Sequence, residues 1–200
     1  MSGVVRVGDA FPKFELPAYF PAEKRDGVLK LEDVTGAGKW LVMVYYPADF
    51  TFVCPTELAD YARLYDGFRG QEAEVVGVST DTVFTHKAWL ETEKLLRDVR
   101  YPLAADHTGT LARQLGIYNE EDGTTLRGTF VVDPDGVLRA VEITWYDVGR
   151  NAAETLRQLE AFRYVRAHPG VACPAGWQPG SRVLRPSIDI AGHVAEALEG

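Results

Sequence analysis

The sequence predicts an α/β protein in which a central mixed β-sheet is flanked by helices, with an amino-terminal extension and a carboxy-terminal arm. Three observations lead to this fold class: two successive units in which a buried strand precedes a helix, a β-hairpin after them, and a long amphipathic helix that follows the hairpin. Strand–helix–strand units place their strands parallel, whereas a hairpin adds antiparallel strands, so the sheet is mixed. We expect one domain over residues 1–167 and the arm over residues 168–200.

The first part of the chain reads as an extended segment that leads into a buried strand. Prolines interrupt residues 7–17, whose apolar residues alternate over part of the run, as in an edge strand or a hairpin. A glycine-containing turn at 36–39 then introduces residues 40–46, which are all apolar or aromatic. This run is too short to cross a bilayer and has the length of a buried strand.

Cys54 lies where this strand gives way to a helix. Apolar and aromatic residues recur at helical spacing over residues 58–68, and Pro55 occupies the favoured first helical position. The free backbone N–H groups and the positive dipole end of the helix would stabilise a thiolate at Cys54. The stretch 47–57, which reads Pro-Ala-Asp-Phe-Thr-Phe-Val-Cys-Pro-Thr-Glu, is therefore the first candidate functional site.

A second strand–helix unit and a shorter one follow. Residues 74–79 predict a buried strand, and residues 82–96 predict a helix. A short strand at 101–106 precedes a brief helix at 110–116 that ends on a glycine. The apolar bulk of the helix at 82–96 is expected from Phe84, Ala88, Trp89 and Leu95.

The hairpin and the long helix complete the predicted domain. Strands at 128–132 and 137–145 flank the sequence Asp-Pro-Asp-Gly, which is a strong turn signal. The second of these strands alternates polar and apolar residues, so we expect one of its faces to be exposed. An amphipathic helix spans 151–167, and the proline- and glycine-rich remainder is expected to be irregular, with a short helix near 190–198.

Composition and charge exclude several classes of protein. The formal net charge is −8 and the basic residues form no cluster, which argues against nucleic-acid binding. Residues 1–6 have no apolar core behind their charge, so we predict no secretory signal. No apolar run has the length of a membrane span, and we expect a cytoplasmic protein with no membrane partner.

The chain has only two cysteines, Cys54 and Cys173. They form no Cys-x-x-Cys pair, which disfavours a thioredoxin-type dithiol, and in a reducing compartment they would seldom form a stapling disulfide. Two readings stay open at this point: a nucleophile with a distant partner, or two inert buried thiols. The four histidines lack the spacing of metal ligands and lie at His86, His107, His168 and His193.

Several residues are candidates to assist a reactive Cys54. Arg127, at the start of a predicted strand, and Arg150, just before the long helix, can supply positive charge near a thiolate. Thr51 can offer its hydroxyl to an oxygen held at the sulfur, and Pro47 can exclude water. Each also has a plain structural interpretation, because prolines and threonines shape turns and arginines are common on surfaces.

Two further residues have a structural interpretation beside the functional one. Glu57 in the first helical turn can simply complement the helix dipole. Trp89 is better explained as a core residue than as part of a site.

Three motifs taken together resemble the peroxiredoxin family. Residues 47–57 match its peroxidatic motif Pro-x-x-x-Thr/Ser-x-x-Cys, and residues 126–133, Leu-Arg-Gly-Thr-Phe-Val-Val-Asp, match the segment that carries its active-site arginine. Residues 168–177, His-Pro-Gly-Val-Ala-Cys-Pro-Ala-Gly-Trp, are similar to the resolving-cysteine segment of the typical two-cysteine class. The resemblance runs from about residue 7 to residue 190. Over this range the sequence pattern is similar to that of the bacterial alkyl hydroperoxide reductase type.

The resemblance implies a thioredoxin-like fold and a thiol peroxidase. Cys54 would reduce hydrogen peroxide or alkyl hydroperoxides and become a sulfenic acid, and Cys173 of a second subunit would condense with it to an intersubunit disulfide. Pro47, Thr51 and Arg127 would shape the peroxide pocket.

The same resemblance names supporting residues and partners. Glu57 and Arg150 would orient the arginine network. A flavoprotein disulfide reductase or a thioredoxin-type protein would regenerate the thiols, the assembly would be a homodimer, often in a ring of five dimers, and no metal or organic cofactor is implied.

An alternative from another class is a holdase chaperone or a redox-signalling binding protein on the same fold. Such a protein would not need Thr51, Cys54 and Arg127 together, and its activity would tolerate Cys54→Ser. A structural protein with a silent disulfide would show only slow thiol chemistry.

Overall fold

A computed structural model describes residues 4–199 of the chain. The chain divides into two compact units, Met1–Ala152 and Ala153–Gly200. Residues 1–3, which belong to the segment for which we predicted no secretory signal, and Gly200, at the end of the predicted arm, lie outside the described residues. Within residues 4–199, no helix combines the length and the apolar character that a membrane crossing requires.

The first unit contains one seven-stranded sheet with the strand order β2-β1-β5-β4-β3-β6-β7. The pairs β3–β4 and β4–β5 are parallel and the remaining pairs are antiparallel, which confirms the predicted mixed sheet. The strands are β1 Glu15–Phe20, β2 Arg25–Lys30, β3 Trp40–Tyr45, β4 Ala73–Ser79, β5 Leu103–Ala105, β6 Arg127–Val132 and β7 Leu138–Thr144.

Five helices of this unit connect the strands. They are α1 Leu31–Thr35, α2 Cys54–Arg63, α3 Tyr65–Gly70, α4 Val83–Thr92 and α5 Thr110–Gln114. The single helix predicted from Pro55 to residue 68 is divided into α2 and α3 at Leu64, whose φ of −101° and ψ of 4° leave the helical region. The helix predicted at 82–96 ends at Thr92, and a short 3₁₀ helix, Lys94–Leu96, follows it.

The prediction of which residues between 82 and 96 fill the core was wrong for Phe84 and Ala88 of α4 and for Leu95 of the 3₁₀ helix. Phe84 is 78% exposed, and Ala88 and Leu95 are also exposed. The prediction for Trp89 is confirmed, because it is 1% exposed, and His86, which was not predicted to be in the core, is also buried. Positions 86 and 89 share one helix face because they are three residues apart, whereas positions 84 and 88 lie on the opposite face.

The hairpin formed by β1 and β2 gave only a partial signal in the sequence. β1 begins at Glu15, inside the segment predicted as extended, but β2 and α1 were not predicted. Only Leu29 of β2 is buried, because this strand forms the sheet edge, and an edge strand of this kind shows no apolar alternation. The hairpin of β6 and β7 is confirmed, as is the mainly exposed β7.

The second unit contains most of the long helix and the irregular segment after it. Helix α6 spans Ala152–Ala167, and the short last helix α7 spans Val194–Glu199 after a 3₁₀ helix at Ile188–Ile190, so both predicted helices are present. Within this unit the side chain of Trp177 lies 5.0 Å from the ring of Tyr164, and its Nε1 donates to the carbonyl of Ser181 at 3.2 Å. The prediction that an arm begins at residue 168 stays a prediction.

Gly77 in the central strand β4 lies in a densely packed part of the core. A Cβ atom at this position would lie 2.5 Å from Cδ2 of the fully buried Leu103. It would also lie 3.5 Å from Cδ2 of Leu58 in α2 and from Cε1 of Tyr46. A side chain at Gly77 would therefore force the buried Leu103 to move, whereas its contact with Leu58 would be an ordinary van der Waals contact.

We predict that Gly77→Ala lowers the free energy of unfolding by roughly 1–3 kcal/mol, the usual cost of overpacking a dense core. Urea unfolding followed by circular dichroism measures the change. The matched control is Gly70→Ala near the end of α3, where an added Cβ has no atom within 4 Å. An equal loss of stability in both variants would contradict the packing argument.

Candidate active site

Cys54 is the first residue of α2 and is completely buried. Pro55 follows it in the first helical turn, as the sequence predicted, and the amide groups of Thr56 and Glu57 donate to the carbonyl of Val53 at 3.0 and 3.3 Å. The sulfur therefore lies at the positive end of a ten-residue helix, where a negative charge is favoured.

The side chain that contacts this sulfur is Arg127, from the start of β6. Its Nη1 donates to Cys54 Sγ at 3.3 Å, and only 3% of the arginine is exposed. A guanidinium with little access to water interacts more strongly with a thiolate than a surface cation does. The structure thus brings together the two residues that the sequence singled out for the central chemistry.

Two groups hold the Arg127 guanidinium in place. On one side its Nη1 donates to Glu57 Oε2 at 2.6 Å. On the other, its Nε and Nη2 both donate to the main-chain carbonyl of Tyr146, at 2.9 and 2.7 Å. Because three of its nitrogens are engaged, the orientation of the planar group relative to the sulfur is fixed.

Glu57 is shared between Arg127 and Arg150. Arg150 Nε donates to Glu57 Oε1 at 2.8 Å, its Nη2 to Oε2 at 3.1 Å, and its backbone N–H to Oε1 at 2.9 Å. The remaining Nη1 of Arg150 donates to the hydroxyl of Thr129 at 3.1 Å. One carboxylate between two guanidiniums leaves one net positive charge in this buried cluster, and a thiolate at Cys54 would balance it.

The ionisation of Glu57 depends on these arginines. Burial by itself would raise the pKa of the Glu57 carboxyl, but the hydrogen bonds and charge of Arg150, together with the charge of Arg127, outweigh it and lower the pKa. Glu57 is therefore ionised at neutral pH although only 1% of its side chain is exposed.

Thr51 and Pro47 lie in the loop that joins β3 to α2. The hydroxyl of Thr51 is partly buried and donates to the carbonyl of Ala48 at 2.7 Å, so its oxygen lone pairs are left to accept a hydrogen bond. Pro47 is buried at the start of the loop. The roles of these two residues toward a peroxide stay predictions.

Cys173 belongs to the second unit, where it is a free, partly buried thiol. Its Sγ lies 3.9 Å from the carbonyl oxygen of Ala161 in α6. Burial raises the pKa of the Cys173 thiol, and the charge of Arg157 only partly opposes this. In this arrangement Cys173 is held mainly as the protonated thiol.

Two groups of the site were not predicted from the sequence. Thr129 lies two residues after Arg127 on β6, and residues at this spacing share one face of a strand, so strand periodicity could have indicated it. The carbonyl of Tyr146 could not have been found, because any residue can offer a main-chain oxygen. Among residues 4–199, no group of three or more His, Cys, Asp or Glu residues is placed to hold a metal ion.

The lowered pKa of Glu57 gives a pH-dependent prediction. A carboxyl whose pKa is lower in the folded protein stabilises it fully above the ordinary value, here 4.5, and this stabilisation is lost as the pH falls through the folded pKa. We predict that Glu57→Gln costs on the order of 3 kcal/mol of unfolding free energy at pH 7, as expected for a broken buried ion pair.

Urea unfolding of wild type and Glu57→Gln between pH 3 and pH 7 checks this. The difference between the two proteins is expected to shrink below pH 4.5. The control is Glu120→Gln, which removes an exposed pair with Arg113 and is expected to have little effect. If the difference in unfolding free energy between wild type and Glu57→Gln stayed constant with pH, the conclusion that Glu57 is ionised would be wrong.

Comparison with known proteins identifies two matching family models. Residues 7–141 match the AhpC/TSA family, and residues 161–200 match the C-terminal domain of 1-Cys peroxiredoxin.

Curated relatives match over most of the chain. Alkyl hydroperoxide reductase C of Salmonella typhimurium is 43% identical over 86% of this chain and 92% of its own. The protein of the same name from Amphibacillus xylanus is 46% identical over 78% of this chain and 84% of its own.

Solved structures agree with the sequence matches. The crystal structure of reduced Plasmodium vivax 2-Cys peroxiredoxin superposes with a TM-score of 0.89 at 29% identity, over 96% of this chain and 99% of that one. Enterococcus faecalis AhpC superposes with a TM-score of 0.79 at 38% identity, over 84% and 98%. The thioredoxin-like α/β fold that the motifs implied is thereby confirmed. With the family model, the curated relatives and the fold in agreement, the chain belongs to the AhpC/TSA family and is a peroxiredoxin.

Proposed function

We propose that this peroxiredoxin reduces hydrogen peroxide and alkyl hydroperoxides through Cys54. The observation that carries the proposal is the contact between Arg127 Nη1 and Cys54 Sγ at 3.3 Å, inside a buried cluster with one net positive charge. Such a cluster favours the thiolate, which is the form of cysteine that attacks peroxides. The relatives named alkyl hydroperoxide reductase C support the substrate class.

In the first step the Cys54 thiolate attacks one oxygen of the peroxide and the O–O bond breaks. The sulfur gains this oxygen as a sulfenic acid, and the other oxygen leaves as hydroxide or alkoxide and takes up a proton to become water or alcohol. Nη1 of Arg127, 3.3 Å from the sulfur, would stabilise the negative charge that develops beside it and so lower the barrier. Thr51 would accept the peroxide O–H, and Pro47 would keep water out.

In the second step the Cys173 thiol of a second subunit condenses with the sulfenic acid. The S–S bond forms, the S–O bond breaks, and the oxygen leaves as water. Because Cys54 is fully buried, the start of α2 must unwind before another sulfur can reach it. Because burial raises the pKa of Cys173, movement of its segment into water would also make this thiol a better nucleophile.

A disulfide reductase of the flavoprotein type or a thioredoxin-type protein would then return both sulfurs to thiols. This exchange needs a reducing compartment, so we place the protein in the cytoplasm. We propose a homodimer as the functional unit and a ring of five dimers as the larger assembly. The scheme requires no metal or organic cofactor, because the two sulfurs carry the electrons.

The test is the reaction of reduced protein with one equivalent of hydrogen peroxide, followed by a non-reducing denaturing gel. We predict that wild type rapidly forms a covalent dimer, whereas Cys54→Ser and Cys173→Ser do not form this bridge. Reduction with a thiol reagent should return the dimer to the monomer.

Two other results would change the account. A monomer that has lost both thiols would place the disulfide within one chain. Failure to lose thiols within seconds would mean that Cys54 is not activated, and the proposed peroxidase would be rejected.

A further inference from the structure

The loop at 47–53, which joins β3 to α2 and precedes Cys54, contains a strained residue. Phe50 has a φ of 56°, in the left-handed backbone region that residues other than glycine rarely adopt. Its ring is 55% exposed and lies 6.1 Å from the ring of Trp89. Backbone strain of this kind persists only where neighbouring groups fix the chain.

Asp49, the residue before Phe50, provides that fixation. Its Oδ1 accepts a hydrogen bond from the hydroxyl of Tyr46 at 2.8 Å, and its Oδ2 lies 2.8 Å from Nδ1 of His86 in α4. Its backbone N–H donates to Asp81 Oδ2, also at 2.8 Å. One residue of the loop is thus bound to the end of β3, to α4 and to the segment before α4.

His86 is completely buried and both of its ring nitrogens have partners. Nε2 lies 3.2 Å from the carbonyl of Ala104 in β5, which can only accept, so Nε2 carries a hydrogen. Nδ1, the other ring nitrogen, lies at hydrogen-bond distance from Asp49 Oδ2, so the imidazole bridges the loop and the sheet. The other titratable groups in contact with Asp49 are Tyr46 and Asp81.

On the other side of this pair, α4 is packed against buried groups. Trp89, one turn after His86, is 1% exposed and its ring lies 5.8 Å from that of Tyr46. His86 itself is tied to the sheet through Ala104. Breaking the Asp49–His86 contact therefore releases the loop rather than α4.

We propose that Asp49 and His86 are positioning residues that set how readily the start of α2 leaves its folded arrangement. This inference rests on the proposed function, in which Cys54 reacts with peroxide when folded and with Cys173 when locally unfolded. The strain at Phe50 favours release of the loop, and the bonds of Asp49 oppose it. The hydroxyl of Thr51, which bonds to Ala48 in the same loop, would move with it.

The test is a pair of tyrosine variants, one at the Asp49–His86 pair and one elsewhere. The Tyr46 hydroxyl also lies 3.4 Å from Nδ1 of His86, so its removal weakens both members of the pair. Tyr46→Phe removes the bond to Asp49, whereas Tyr45→Phe removes an equally buried bond to Asp106 at 3.1 Å, away from the loop. Asp49→Asn is a further variant, which changes the Asp49–His86 contact itself. Rapid quenching with an alkylating reagent and mass spectrometry follow the thiol, sulfenic and disulfide forms with time.

We expect the step from sulfenic acid to disulfide to be about fivefold faster in Tyr46→Phe, as one lost hydrogen bond would allow. Asp49→Asn should accelerate the same step, and Tyr45→Phe should leave it unchanged at a similar loss of melting temperature. The peroxide step should not accelerate in any variant.

The outcomes separate this inference from the proposed function. Unchanged or slower disulfide formation in Tyr46→Phe, with wild type forming its disulfide normally, would overturn the inference alone. Equal acceleration in Tyr45→Phe would also overturn it, because general destabilisation would then explain the effect. A wild type that forms no disulfide with peroxide would overturn both.

Discussion

The carboxylate of Glu57 between the guanidiniums of Arg127 and Arg150 is the interaction on which the rest of the site depends. Two buried guanidiniums that bond the same carboxylate would repel each other without it, and removing both from water would cost free energy. With Glu57 in place, each arginine is held at hydrogen-bond distance and one net positive charge remains beside Cys54. The contacts that keep the cluster folded are thus the same contacts that place the Arg127 guanidinium beside the sulfur.

The mixed sheet explains how these residues meet. Cys54 follows the carboxyl end of β3, and β6 runs antiparallel to β3 with Gly128 opposite Tyr45. The amino end of β6, where Arg127 lies, therefore falls at the same edge of the sheet as the start of α2. Arg150 reaches this edge just before α6 begins, where the amide of Ala152 donates to Asp60 of α2 at 3.1 Å. A parallel β6 would have placed Arg127 at the far end of the sheet.

The strand–helix junction at Cys54 could be predicted from sequence because an apolar run and a helix-starting proline are local signals. Arg127 and Arg150 could be named as candidates, but which one touches the sulfur depends on strand register and on the carbonyl of Tyr146, which have no side-chain signature. The exposure of Phe84 was missed because helical periodicity does not show which face meets the sheet. The Asp49–His86 pair was missed because its two residues are distant in sequence and their contact is made only in the folded chain.

We expect the fixed guanidinium of Arg127 to accelerate cleavage of the O–O bond beyond its effect on the thiolate. The most direct measurement compares the rate constants of Cys54 with hydrogen peroxide and with iodoacetamide in wild type and Arg127→Lys. Lysine keeps the charge but cannot reproduce the planar donors, so the peroxide rate should fall by about a hundredfold or more while alkylation changes by less than about tenfold. If both rates fell by the same factor, or if the peroxide rate did not change, the account of Arg127 would be wrong.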